Sequence, residues 1–515
     1  MPSTPTHKVL LIILDGFGLR ADKDYNAIAN ANTPNWNHFI KTYAFGSLNA
    51  SATAVGLPEG QFGNSEVGHM NIGAGRVVEQ DITRIDYACE NGTFYTKPEF
   101  VETLNTTRSG VLHILGLLSD GGVHSHIAHI LSLIKLTQTN LAIKQVWLHI
   151  FLDGRDTPPK SALLYLKTLQ DFITLFPAVK IATVSGRYYA MDRDKRYDRV
   201  ELAYNAIIKA HSAFKLNAAE EAITDEYDRG ITDEFIRPHV IGSFNGVHDG
   251  DSIIFANFRS DRAIQLTDAI VNVDFNGFTR TAVTLSNFVT MTDYGLINQK
   301  GINVKVAFPK VSLTNTLGEY ISNLGLHQLR IAETEKYPHV TFFLNGGVKK
   351  IYPNEERILI DSPKDVATYD LKPEMSLPEV TNKLLEAIAS QKYDFIITNF
   401  ANADMVGHSG NLAAAIAAVE ALDIALGKVV DKMLAYGGEI LVVADHGNCE
   451  EMFDYVTGQM HTQHTTNLVP CLYIGRPAVI LDNGALKDVA PTLLSMSGIR
   501  IPPEMTGQNL IQFVN

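Results

Sequence analysis

Cysteine is scarce in this chain. The 515 residues hold three, Cys89, Cys449 and Cys471, at no metal-ligand spacing and in no disulfide framework, which fits a reducing cytosol. A basic excess is also missing. Lys and Arg number 43 against 56 Asp and Glu, a net charge of -13, which argues against a general nucleic-acid binder. It leaves room for an anionic small substrate, because a few arginines in one cleft dominate locally. No apolar run approaches the roughly 20 residues that span a bilayer. The N-terminal KVLLIIL breaks at Asp15 and has no small-residue cleavage site behind it, so it reads as a first core strand rather than a signal peptide. Low-complexity tracts and internal repeats are absent. The expectation is a cytoplasmic protein with no nucleic-acid or membrane partner.

What is present is a 45% hydrophobic chain, too long for a typical single domain. Strand-like runs alternate with helical patterns, which indicates an α/β fold with largely parallel sheets. AAAIAAVEALDIALGKVVDKML reads as a long helix feeding the strand EILVVA, and ALKDVAPTLLSMSG as a helix ended by Gly498. Motifs of one kind lie before about residue 78 and after about 311. The stretch between has its own strand series: VLHILGLL, VWLHIFL, KIATVS and SIIFANF. This pattern predicts one α/β domain inserted into another, with VVEQDITRI and NQKGINVKVAFPK as linkers and a hinge at the two crossings.

The outer segments carry metal-ligand residue types at equivalent places. Asp15 follows VLLIIL, Asp404 and His408 follow FIITNF, and Asp445 and His446 follow ILVVA. The later segment HTQHTTN offers His461 or His464. Residues just past the carboxyl ends of strands in an open α/β sheet converge on one crevice. Asp404 and His408, four apart, share one face of a helical turn. Carboxylate and imidazole donors without thiolates suit Mn²⁺, Zn²⁺ or Mg²⁺. Ser65, among glycines in GNSEVGH, stands at a turn-to-helix junction whose free N–H groups favour phosphate, and a nearby metal would make it a nucleophile. Taken singly, each reads as a core histidine, an N-cap aspartate or an N-cap serine; the joint pattern outweighs those readings.

The middle block ends each strand in anion-binding chemistry. His124 lies in SDGGVHSH, Arg155 and Asp156 in DGRDTPP, Arg187 and Arg193 in GRYYAMDRDKR, and Arg259 and Arg262 in RSDRA. Arginine forks bind carboxylate and phosphate in bidentate geometry, so a small substrate carrying both groups is indicated. The alternative is a solvated rim of Asp–Arg pairs built with Asp192, Asp194 and Asp261. Asp156 beside Arg155 offers a base next to an anion clamp.

Ten segments in this order resemble the cofactor-independent phosphoglycerate mutases of the alkaline phosphatase superfamily, over essentially the whole chain. They are LDGFG, LPEGQFGNSEVGHMNIGAGR, LSDGGVHSH, FLDGRDTPP, SGRYYAMDRDKR, NFRSDRA, AETEKYPHVTFFLNGG, NFANADMVGHSG, ADHGN and HTQHTTN. The resemblance implies an alkaline-phosphatase-like parallel-sheet domain from residues 1–77 and 311–515, with a second, substrate-binding α/β domain, 78–310, inserted into it. It implies interconversion of 3- and 2-phosphoglycerate through a phosphoserine at Ser65, in a monomer holding two divalent ions, expected to be Mn²⁺. It places one ion on Asp404, His408 and His464, choosing His464 over His461, and the other on Asp15, Ser65, Asp445 and His446. It matches His124, Arg155, Asp156, Arg187, Arg193, Arg259, Arg262 and Lys336 to substrate-binding positions, with Lys336 also neutralising charge on the transferred group and Asp156 shuttling protons. Lys336 comes from the resemblance alone, since KYPH by itself reads as a surface turn. One departure is Ser260, where the family has proline in FRPDR; it loosens that loop slightly. Domain closure is expected to keep water from the phosphoserine. The nearest alternative is another metal-dependent phosphomutase or phosphatase of the superfamily. A sulfatase is disfavoured, as no C-x-P-x-R segment occurs.

Overall fold

In the computed structural model, residues 5–296 and 304–514 are described. The chain divides into two compact units, Met1–Gln80 with Ser312–Asn515, and Asp81–Val311. Both are α/β.

The first unit is built on an eight-stranded sheet. Its strands run in the order Glu355–Ile360, Gln328–Glu333, Phe395–Phe400, Val9–Leu14, Glu439–Val443, Val469–Ile474, Ala44–Asn49, Gly484–Ala485. The first five are mutually parallel, and Val469–Ile474 pairs antiparallel on both sides. Val9–Leu14 sits at the centre with every residue buried, which is why it reads as an unbroken apolar run: a parallel strand covered on both faces has no polar side to show. The helix Leu412–Ala435 buries Leu422, Leu426, Val429 and Val430 in the core that these strands share.

The second unit has its own eight-stranded sheet, ordered Lys305–Val306, Asn287–Thr290, Ser252–Phe255, Val111–Leu117, Gln145–Leu152, Val179–Gly186, His239–Ile241, Phe214–Leu216. All neighbours are parallel except Val179–Gly186 with His239–Ile241. The four expected strands are the central ones. SIIFANF leaves the sheet after Phe255, and its last residues form a loop. Of the expected linkers, VVEQDITRI is half helix, since Asp81–Glu90 is helical and buries Ile82 and Ile85. Residues 298–303 of the other lie outside the described residues, and Lys305–Val306 behind them is an edge strand. Among the described residues no helix is long and apolar enough to cross a membrane.

Candidate active site

Four neighbouring parallel strands of the first unit deliver the site. Asp15 directly follows Val9–Leu14, Asp404 lies in the short helix Asn402–Gly407 behind Phe395–Phe400, Asp445 and His446 follow Glu439–Val443, and Lys336 follows Gln328–Glu333. These are the carboxyl ends of the strands, where such sheets bind ligands. Ser65 enters from the helix Ser65–Ala74. The cap of that helix is Asn64, whose side chain accepts from Val67 N–H, so Ser65 is the first helical residue and not the cap. Two glycines let the loops meet. Gly16 has φ +72°, and a Cβ there would lie 2.7 Å from Asp404 Cα. A Cβ on Gly68 would lie 2.8 Å from the Asp445 carbonyl oxygen.

The groups are close and almost dry. Asp15, Asp445 and His446 are 0% exposed, Asp404 2%, Lys336 3% and Ser65 6%. Ser65 Oγ donates to Asp15 Oδ1 at 3.1 Å and stands 3.0 Å from His446 Nε2. Lys336 Nζ donates to Asp15 Oδ1 at 2.7 Å, to Ser65 Oγ at 2.8 Å and to Asp404 Oδ2 at 2.6 Å. Burial, the largest single influence, would raise the carboxyls of Asp15 and Asp404, but Lys336 and the neighbouring histidines together outweigh it and hold both well below the usual range. Burial likewise opposes charge on His446, yet Asp445 and its neighbours lift that ring to about 9.

The donor set fits divalent cations. His408 Nδ1 lies 2.7 Å from the Thr462 carbonyl and His464 Nδ1 2.9 Å from the Gly63 carbonyl. Each Nδ1–H therefore donates to backbone, and both Nε2 lone pairs turn inward, the usual support for a metal-binding imidazole. Those two Nε2 atoms are 3.2 Å apart, and they stand 3.1 Å and 3.2 Å from Asp404 Oδ1. Three acceptors at that separation repel one another unless a cation or proton lies between them. Asp445 Oδ2 is buried without a hydrogen-bond partner. Three buried carboxylates also face a single ammonium, leaving negative charge that two-plus ions would neutralise. Two triples offer ligand atoms within 4.8 Å of one another: Asp404, His446 and His464, and Asp15, His69 and Asp445.

In the second unit the other expected residues gather at the carboxyl ends of its central strands. Arg187, first residue past Val179–Gly186, is 1% exposed. Its Nη1 donates to Asp153 Oδ1 at 2.6 Å and Asp156 Oδ2 at 2.5 Å, while its Nε is buried without a partner. Burial opposes the Arg187 charge, but Asp156 and Asp153 keep it protonated. His124 stands 3.9 Å from Asp156 and 3.6 Å from Asp261, and burial with the Arg187 charge pushes it down to about 4. Arg262 donates to the Met191 carbonyl at 3.2 Å. Arg193 and Arg259 are half exposed and both pair with Asp261, as the Asp–Arg rim alternative describes. Arg155 is 53% exposed and pairs with Glu234.

Several site groups were not singled out from sequence. Asp153 accepts from Ser119 Oγ and from the N–H groups of Arg155 and Asp156 besides Arg187, so it shapes the DGRD loop. Glu450 is fully buried and accepts from Gly18 N–H at 3.1 Å, Asn448 N–H at 2.8 Å, Asn467 Nδ2 at 3.0 Å and the Thr465 hydroxyl. It thereby ties together the loops that bear Asp15, His446 and His464. Asn448 Nδ2 donates to Asp404 Oδ1 at 3.1 Å. Asn399 and His69 lie behind Asp15 and Asp445. The available signals were weak: a carboxylate following ADHGNC, and an Asn closing an otherwise apolar strand.

Comparison with known proteins points the same way as this geometry. The family model of the Metalloenzyme superfamily matches residues 7–501. The 2,3-bisphosphoglycerate-independent phosphoglycerate mutase of Laribacter hongkongensis is 54% identical over 98% of this chain and 99% of its own. That of Thiobacillus denitrificans is 53% identical, again over 98% and 99%. Among solved structures, the Leishmania mexicana phosphoglycerate mutase, studied at low cobalt concentration, superposes with a TM-score of 0.68 at 31% identity, covering 99% of each chain. The chain belongs to the 2,3-bisphosphoglycerate-independent phosphoglycerate mutases, within the Metalloenzyme superfamily.

Proposed function

We propose that this chain interconverts 3-phosphoglycerate and 2-phosphoglycerate, in the cytoplasm and as a monomer, with Ser65 carrying the phosphoryl group between the two hydroxyls. The observation that carries this reading is the contact of Ser65 Oγ with Lys336, Asp15 and His446 in a nearly dry site. Asp404, His408 and His464 would hold one divalent ion and Asp15, Ser65, Asp445 and His446 a second, with Mn²⁺ as the expected metal. Bound ions supply positive charge to the transferring group and lower the pKa of the serine hydroxyl.

The residues of the chain do the rest. Ser65 Oγ attacks phosphorus as the bond from phosphorus to the O3 of glycerate breaks, and the proton given up by Oγ ends on O3. Lys336 Nζ, 2.8 Å from Oγ, neutralises charge on the phosphoryl oxygens during the transfer. Glycerate is recognised by Arg155, Arg187, Arg193, Arg259, Arg262 and His124 of the second unit. Asp156 takes the proton from O2, O2 attacks the phosphoserine, and Ser65 Oγ leaves and takes up the proton that O2 gave, which returns Asp156 to its starting form. Arg187 Nη1 donates to Asp156 Oδ2 at 2.5 Å, which fixes the carboxylate in place.

The test uses metal-stripped protein with Mn²⁺ added back and no bisphosphoglycerate present. Turnover of 3- to 2-phosphoglycerate that requires Mn²⁺ and disappears in Ser65→Ala supports the reading. Phosphate release without isomerisation would make the chain a phosphatase and overturn it.

A further inference from the structure

His69 and Ser65 stand one turn apart on the helix Ser65–Ala74, and both are buried. Both ring nitrogens of His69 are committed. Nδ1 lies 2.8 Å from the Ser65 carbonyl oxygen and 3.2 Å from Asp445 Oδ2. Two acceptors on that side mean that Nδ1 carries the proton. Nε2 then presents its lone pair to Asn399 Nδ2, 3.1 Å away. The same amide nitrogen donates its other proton to Asp15 Oδ2 at 2.6 Å. Reversing the amide would press its oxygen against Asp15 Oδ2 at that distance, so the hydrogen bonds allow one orientation only. The result is a directed chain in which Asn399 donates to both Asp15 and His69, and His69 donates to the Ser65 carbonyl, with Asp445 Oδ2 in contact at 3.2 Å but not hydrogen-bonded.

This chain ties the carboxylate at the end of Val9–Leu14 to the helix Ser65–Ala74 through a neighbouring strand, since Asn399 lies in Phe395–Phe400 opposite Ile13. Nothing in it is reactive. Asp15 Oδ2 is the carboxylate oxygen it holds, which leaves Asp15 Oδ1 to meet Ser65 and Lys336. His69 also brings a nitrogen within 4.8 Å of both carboxylates, the spacing of a direct ligand. The hydrogen bonds argue against that role, because the nitrogen on the carboxylate side is the protonated one and a ligand needs a lone pair there.

We propose that Asn399, itself held by His69, aims Asp15 at one divalent ion, that both are positioning residues, and that His69 is not itself a ligand. The proposal rests on the divalent-metal reading of the site. A carboxylate held in one rotamer binds an ion without first being ordered, and loss of such outer partners typically weakens a metal by about 10–100-fold.

The experiment is Mn²⁺ titration of metal-stripped full-length protein, read by the electron paramagnetic resonance of free Mn²⁺, with thermal unfolding of the metal-free forms alongside. His69→Phe and Asn399→Leu are each expected to weaken one of two Mn²⁺ ions by about 10–100-fold. Two ions should still bind at saturation, the other affinity should be unchanged, and the double variant should be little worse than either single one. Saturation of His69→Phe at one ion would make His69 a ligand and overturn the proposal. Wild-type affinities in both variants would overturn it, as would equal weakening of both ions with a lower unfolding temperature of the metal-free protein, which marks a merely structural role. Should His69→Phe fail to fold, Asn399→Ser, which cannot reach Asp15, carries the same readings. Failure of the wild type to bind Mn²⁺ would instead sink the metal reading, and is seen separately.

Discussion

Lys336 Nζ lies 2.8 Å from Ser65 Oγ, and the same ammonium bridges Asp15 and Asp404, two carboxylates brought in by adjacent strands. One cation thus touches both the proposed nucleophile and two of the proposed metal ligands. Lys336→Met should lower kcat by about 10²–10³, the scale for losing one preorganised charge at a transferring group. It should also destabilise the metal-free protein by about 3–5 kcal/mol, because buried carboxylates lose their partner. Saturating Mn²⁺ should recover much of the stability and little of the rate. Unfolding with and without Mn²⁺, beside initial rates, checks both halves.

Asp153 and Arg187 form the matching pair in the second unit. Asp153→Asn keeps an acceptor for Arg187 and the two loop N–H groups, turns an amide donor to the Ser119 hydroxyl, and removes charge from beside the buried guanidinium. The expected result is a rise in KM for 3-phosphoglycerate of about tenfold, the effect of roughly 1.4 kcal/mol, with Mn²⁺ affinity unchanged. A parallel loss of Mn²⁺ binding would show that the effect is not local to Arg187.

Acid sensitivity should reside in the second unit. Asp251, just before the strand Ser252–Phe255, forms a buried line with His113, His149 and Thr183 of three successive strands, with His113 Nδ1 3.0 Å from His149 Nε2. Burial lowers both histidines, and His113 adds to the shift of His149. Their unfolded forms bind protons near pH 6.5 and the folded ones do not, so stability is full above that pH and falls as the pH drops below it. In a Trp36→Phe background, Trp147 fluorescence reports this unit. His149→Gln should flatten the loss of stability between about pH 6.5 and 5. An unchanged slope would refute the assignment.

Gly16→Ala places a methyl 2.7 Å from the Asp404 backbone at positive φ. Strain of about 1–2 kcal/mol from the left-handed conformation adds to the clash. A lower unfolding temperature and weaker Mn²⁺ binding should appear together, since the clash acts on a ligand-bearing loop.

Chelation should lower the unfolding temperature of the first unit alone, with Trp36 as reporter. A hundredfold excess of Mn²⁺ over its Kd should return about 2.7 kcal/mol per ion.

The positions of Asp15, Asp404, Asp445 and His446 were legible because the central parallel strands are buried on both faces. An unbroken apolar run that stops at a carboxylate marks both the strand and its functional end. The strand Gln328–Glu333 gave no such signal. It buries Gln328, Arg330 and Glu333 within its six residues, so composition concealed it, and Lys336 behind it was reached only through family resemblance. Asn399 and Glu450 were hidden differently. Each is one polar residue in a segment already accounted for, and the partners that give it meaning, Asp15 for Asn399 and Gly18 for Glu450, lie hundreds of residues away in sequence.

The central position of Val9–Leu14 also sets an order of events during synthesis. Its two neighbours are Phe395–Phe400 and Glu439–Val443. At roughly 5–20 residues per second, this strand waits tens of seconds, up to about a minute, for its partners. The 81–311 unit is made within that interval. For that interval the most apolar segment of the protein has no sheet to join, so a nascent chain is exposed to aggregation through this strand, and chaperone capture should be most needed while the inserted unit is being made.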